Sequence, residues 1–233
     1  MSRQTPLAQE RRSFLTRLNT GAASLAALAM GGVALEGVAR AKDKSASSTR
    51  FEPARHEKDD WLDKLPGKHR LIFDTTSSQG VADALLFGNN FLLANRADYG
   101  LDNKELAVVI VLRHRSTPFG YNDAMWTKYG ASLAARAQFM DPKTKQPPTG
   151  NVYAHGDGST TFDALSKQGV QFAVCAMATR FYAAGIAEAT GGNVDAVFNE
   201  LTSNLVVPTS RMVPAGIVAV NRAQERGYSL VTT

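Results

Sequence analysis

The chain has 233 residues, 44% hydrophobic and 20% charged, an ordinary globular composition that supports one sizeable core and not two large domains. Its formal charge is +5, but five of the 26 basic and two of the 21 acidic residues lie within residues 1–41; the remaining +2, with no Lys/Arg block interleaved with aromatics, argues against nucleic-acid binding. The single cysteine excludes an internal disulfide and any multi-cysteine metal site.

Residues 1–41 read as a targeting segment. Arg11 and Arg12 precede Ser13-Phe14-Leu15, an apolar run follows from Gly21 to Val38, and Ala39-Arg40-Ala41 is a small-x-small cleavage pattern. This order resembles a twin-arginine (Tat) signal peptide, with cleavage after Ala41. The resemblance implies passage through the Tat translocase as a folded protein. The expected location is the periplasm, membrane-tethered if the signal is uncut. Residues 42–68 are polar and charged and read as an amino-terminal tail, with Trp61, Leu62 and Leu65 available to pin its end to the domain.

From residue 69 to 233 the pattern alternates. Leu71 to Thr75 reads as a buried strand, and Val81 to Ala97 has helical spacing. Leu106 to Leu112 (LAVVIVL) is the near-continuous apolar run of a strand covered on both faces. Arg113 to Pro118 forms a polar crest after it. Asp123 to Met140 reads as a helix, and residues 141–158 as a Pro/Gly-rich surface loop. A short helix over Thr161–Lys167 leads to a third strand, Val170–Val174. Helices follow over Ala176–Ala189 and Val194–Leu201. Val206-Val207 reads as a very short fourth strand. Ala215 to Arg226 reads as a helix with Gly227 after it, and Tyr228 to Val231 as the last strand. The alternation predicts one α/β domain: a three-layer sandwich around a mostly parallel open sheet of about five strands.

Three stretches together resemble the DsrE/DsrF-like family. They are the strand–Cys–helix segment Gly169 to Arg180, the Val213-Pro214-Ala215-Gly216-Ile217 run, and the closing Ala223 to Leu230. The resemblance covers residues 69–233. It implies a compact α/β sandwich that assembles into a homotrimer or hexamer. Its sulfur-relay members use a strand-end cysteine as a persulfide carrier between protein thiols, and Cys175 matches that position. Two features depart from the family: the Tat-like signal, since those members are cytoplasmic, and the length of the 141–158 loop.

Cys175 is the first candidate on the residues themselves. It ends an apolar strand and starts a helix, where the helix dipole favours the reactive thiolate. The competing reading is a small buried hydrophobe, because free cysteine is among the most buried residue types. Arg180, five residues on, is a candidate for added positive charge. Arg113, His114 and Arg115 crest the second strand, on the sheet edge that also carries Cys175. They are candidates for an anion-binding rim, with His114 also a candidate base; a solvated strand end is the alternative. Thr75 and Ser77 follow the first strand and offer hydroxyls to a ligand, or simply cap the next helix. His155 with His114 makes two metal ligands, too few for a site. No phosphate loop, dinucleotide fingerprint, GxSxG elbow or Ser-His-Asp order stands out, so no cofactor is expected.

Two functions follow as expectations. One is an exported sulfur carrier or thiol-redox protein using Cys175, serving a donor or acceptor protein rather than turning over a substrate. The other is a non-catalytic oligomeric binding or scaffolding module with Cys175 packed inside. A metal- or haem-binding periplasmic protein is a third, fainter option.

Overall fold

The computed structural model describes residues 52–233. Arg11, Arg12 and the cleavage site after Ala41 lie outside them. A short helix, α1 (Asp60–Lys64), precedes the first strand, β1 (His69–Thr75). Then come α2 (Ser78–Tyr99), β2 (Leu106–Leu112), a 3-10 segment (His114–Gly120), α3 (Asp123–Ala137) and α4 (Phe162–Lys167). The last part is β3 (Gln171–Cys175), α5 (Ala176–Thr190), α6 (Val194–Ser203), β4 (Ser210–Val213), α7 (Gly216–Gln224) and β5 (Ser229–Thr232). The strands form one sheet in the order β4-β3-β2-β1-β5, every neighbouring pair parallel. This is an α/β three-layer sandwich.

The layers follow from strand periodicity. Along β2, Leu106, Val108, Ile110 and Leu112 point into one apolar cluster, while Ala107, Val109 and Val111 point into another. Both faces are covered, which is why the strand carries no polar residue. The larger cluster is closed by α2 to α6 through residues such as Leu85, Leu133, Leu165, Ile186 and Leu201. The smaller is closed by Ala219, Val220 and Ala223 of α7 and by Leu62 of α1.

A single crossover hand accounts for this division. From β1 to β4 the chain steps one way across the sheet, with its helices on one face. From β4 to β5 it must step back across three strands, and α7 therefore lies on the opposite face. At the carboxyl edge, the chain leaves β3 towards one layer and leaves β4 towards the other. Such a divergence of neighbouring connections opens the crevice where α/β sheets bind ligands. Cys175 and Val213, paired in register, end those two strands.

Several elements depart from the sequence reading. The fourth strand is Ser210–Val213, not Val206-Val207. Val206 and Val207 are instead buried in the larger cluster, and the Val206 N–H donates to the Gly120 carbonyl at 2.9 Å. In the Arg113–Pro118 crest His114 and Arg115 are exposed and Arg113 half-buried, but the 3-10 segment turns inward from there, and Ser116 to Gly120 are all buried. The helix expected to reach Met140 stops at Ala137, where Gln138 turns left-handed at φ 54°. Within the segment read as a tail, Leu62 is fully buried. Its carbonyl accepts from Tyr228 Oη and Arg70 Nη1 at 2.9 and 3.1 Å.

The 141–158 loop is anchored rather than loose. Buried Asn151 donates through Nδ2 to the carbonyls of Phe119 and Tyr121, at 2.7 and 2.8 Å. His155 sits between Asp123, at 3.1 Å, and Asp163. The hydrogen bond to Asp163 holds the His155 pKa above its ordinary value, against a smaller desolvation effect and with further help from the two carboxylate charges. The imidazolium is thus favoured more in the folded chain than in the unfolded one. Its contribution to stability is complete below the ordinary histidine range and disappears as pH rises through the raised value. The ring's exposure keeps the effect small. The midpoint of thermal unfolding is expected to exceed that of His155→Gln most below about pH 6. The gap should close on the alkaline side; a gap independent of pH would show that the clamp does not depend on charge.

Candidate functional site

Cys175 ends β3 and caps α5. The backbone there is extended, at φ −74° and ψ 112°, and the Ala178 N–H donates to Sγ at 3.4 Å. The sulfur thus takes the place usually held by a Ser, Thr, Asp or Asn oxygen at a helix start. A buried chain of hydroxyls fixes the backbone: Tyr121 Oη donates to Thr179 Oγ1 at 2.8 Å, and Thr179 Oγ1 to the Cys175 carbonyl at 2.9 Å. Burial pushes the Tyr121 phenol far up, so it stays a neutral donor. By strand alternation Cys175 shares the face of Ala173 and Val213, the α7 side. The residue is 6% exposed.

Arg113 occupies the same face. Its Nε and Nη2 grip Asp74 Oδ1 and Oδ2 at 2.6 and 2.8 Å, a bidentate fork. Gly216 leaves room for it at the start of α7. A Cβ on Gly216 would stand 2.7 Å from Arg113 Cβ and 3.0 Å from Val111 Cγ1. The Arg113 pKa is raised, chiefly by the Asp74 hydrogen bond, against some desolvation, with a smaller Coulombic contribution from Cys175. Leu112 pairs in register with Val174, so Arg113 and Cys175, the next residues, stand side by side at the carboxyl ends of β2 and β3. Cys175, Arg113, Asp74 and the start of α7 form the candidate site.

His114 and Arg115 go elsewhere. His114 is left-handed at φ 58°, an uncommon conformation for a residue with a side chain. It turns the chain out of the strand, so that Arg113 and Arg115 on either side of it serve opposite faces. Both His114 and Arg115 open onto a cavity of about 400 Å³ beside α5, on the side away from α7. The anion rim expected from the sequence is thus divided between two places on one sheet edge. Arg180 points away from Cys175: its guanidinium pairs with Asp195 at 2.8 Å and lies 4.3 Å from the Phe198 ring centre, both on α6.

Thr75 and Ser77 are taken up by structure. Thr75 is fully buried; its hydroxyl donates to the Val111 carbonyl at 2.7 Å and bonds the Ser116 hydroxyl at 2.9 Å. Ser77 Oγ accepts from the Gly80 N–H at 3.0 Å and caps α2. No cluster of three or more His, Cys, Asp or Glu suited to a metal ion occurs among the described residues. Asp74 as the partner of Arg113, and Tyr121 and Thr179 behind Cys175, carry no local sequence signal. Only the pairing of β1 with β2, and of the 3-10 segment with α5, brings them together.

No protein-family model and no curated protein matches the chain. Among solved structures, a protein of unknown function from Methanobacterium thermoautotrophicum is similar at 16% identity, over 71% of this chain and 100% of its own, with a TM-score of 0.37.

Proposed function

We propose that this is an exported DsrE-like sulfur carrier or thiol-redox protein, assembled as a homotrimer or hexamer in the periplasm, with Cys175 as its working group. The observation that carries the proposal is the placement of Sγ as the cap of α5, accepting an N–H at 3.4 Å. Added support comes from Arg113 beside it at the strand ends and from the position of Cys175 where the two helix layers diverge.

The transfer is a thiol exchange without net oxidation. The Cys175 thiolate attacks the outer sulfur of a donor protein's persulfide. The donor S–S bond breaks, the donor departs as thiolate, and Cys175 holds the sulfur as Cys–S–SH. An acceptor thiolate then attacks that outer sulfur and regenerates the Cys175 thiolate. In this role Arg113 steadies the departing or arriving negative charge on Cys175. Arg180 has no part in it, and His114 lies on the other side of the helix start.

The test is direct. After incubation with a small-molecule persulfide, the native protein is expected to gain about 32 Da, one sulfur atom, and Cys175→Ser to gain nothing. Absence of the adduct from the wild type rejects the carrier. The 6% exposure of Cys175 favours the second reading, an oligomeric binding module in which the thiol is packed. In that case a thiol reagent at neutral pH labels the protein only in denaturant; for the carrier, labelling of the native protein is expected within minutes.

A further inference from the structure

The cavity on the other side of α5 has a composition that the thiol proposal does not use. Arg115 from the 3-10 segment and Arg136 from the last turn of α3 both border it. Arg115 has no ion pair among the described residues. Arg136 has only Glu188, at 4.0 Å, whose side chain is 85% exposed. His114 adds a third nitrogen-bearing side chain. The one aromatic hydroxyl in the lining belongs to Tyr182, a buried residue. Burial pushes the Tyr182 phenol up, while the charges of Arg115 and Arg136, which line the same cavity, act the other way.

The cavity is also built, not incidental. Arg136 lies across α5 at Gly185, where any Cβ would collide with its guanidinium. Glycine inside a helix is unfavourable and calls for a reason; seating Arg136 is one. The guanidinium is also 4.5 Å from the centre of the Phe181 ring, a cation–π contact that fixes its plane. His114 and Gln138, two of the three non-glycine residues with left-handed backbone among the described residues, both stand at the cavity wall. Such conformations concentrate at ligand sites.

The geometry points to a binding site for a small organic anion, with its oxyanion head between Arg115, Arg136 and the Tyr182 hydroxyl and its apolar body against Phe181 and Ala178. The cavity's 400 Å³ corresponds to about a dozen water volumes. That is more than an inorganic oxyanion fills and typical of a small-molecule pocket. The ligand class is a phosphorylated, sulfonated or carboxylated compound with a flat apolar part. This site is independent of Cys175 chemistry, although Ala178 belongs to both: its N–H caps onto Cys175 Sγ, and the residue lines the cavity.

Titration calorimetry on the full-length chain tests the proposal, with phenyl phosphate, inorganic phosphate and phenol as probes. Phenyl phosphate is expected to bind one to one, at least tenfold more tightly than either of the others. Arg115→Ala and Arg136→Gln are each expected to weaken it by about tenfold, the scale of one charge-assisted hydrogen bond. Tyr182→Phe should weaken it a few-fold. Cys175→Ser should leave it unchanged, so failure here is distinct from failure of the carrier. Arg115 is exposed, so its variant retains the fold, which an unchanged unfolding midpoint checks. Phenyl phosphate that fails to bind, or that binds Arg115→Ala and Arg136→Gln as it binds the wild type, or phenol that binds as tightly, overturns the site.

Discussion

Replacing Arg113 with alanine is expected to lower the free energy of unfolding by about 3 kcal/mol, the lower end of the range for breaking a buried ion pair. Asp74 is 5% exposed and holds the guanidinium through both oxygens. The lost attraction is the smaller part of the effect. The larger part is the carboxylate left behind without a counter-charge, since its side chain is only 7% exposed. The Arg113 side chain is 28% exposed, which is why the lower end applies. Arg113→Lys keeps the charge but not the fork and should recover roughly half of the loss. Combining Asp74→Leu with Arg113→Met should restore most of it, because a desolvated pair and an apolar pair of similar size are often equivalent. Denaturant unfolding at neutral pH gives all three values. An alanine variant within about 0.5 kcal/mol of the wild type would place it among ordinary surface changes and deny the pair a structural role. If Arg113 also steadies a Cys175 thiolate, labelling by a thiol reagent slows in Arg113→Met/Asp74→Leu even where stability is restored.

Trp126→Ala is expected to cost about 4 kcal/mol, which for a chain of this size lowers the unfolding midpoint by roughly 8 to 16 °C. Trp126 is completely buried, and its Nε1 donates to the Pro118 carbonyl at 3.0 Å. Its ring lies 5.3 Å from that of Phe119, which in turn meets Phe139 and Tyr153 at 5.2 and 5.1 Å. Removing it opens a large cavity and takes one of two hydrogen bonds from the buried Pro118 carbonyl, the Tyr121 N–H keeping the other at 3.1 Å. The consequence reaches the site, because Trp126 is what clamps the 3-10 segment that carries His114 and Arg115. Trp126→Phe keeps much of the packing and loses the hydrogen bond, so a loss of about 1–2 kcal/mol is expected. Calorimetric melting of the two variants separates packing from the bond. If both melt alike, the hydrogen bond and not the volume holds the segment.

The order of strands and helices was legible from periodicity because it depends on local pattern. LAVVIVL reads as a strand covered on both sides, and the helices over 81–97, 123–140 and 176–189 have apolar residues at helical spacing. The errors fell where burial is decided by distant residues. Val206-Val207 has the composition of a strand, yet the neighbour available to it is the 3-10 segment, while Ser210–Val213, half-polar in sequence, finds β3. Polar residues after β2 read as surface, but Ser116 and Thr117 are buried because their hydroxyls bond to backbone carbonyls within reach.

The site divides in the same way. Sequence alone determined that Cys175 stands where a strand becomes a helix, since an apolar run followed by helical spacing fixes that junction. It also placed the basic residues of 113–115 on the same sheet edge, because parallel strands all end on one side. Which face each side chain serves was decided by the tertiary structure. The left-handed turn at His114 sends Arg113 under α7 to Asp74 and Arg115 to the cavity beside α5. Arg136 and Tyr182 join Arg115 only because α3 packs on α5 across Gly185. A side chain's partner is chosen by the packing of whole elements, and neither spacing nor composition records which elements meet.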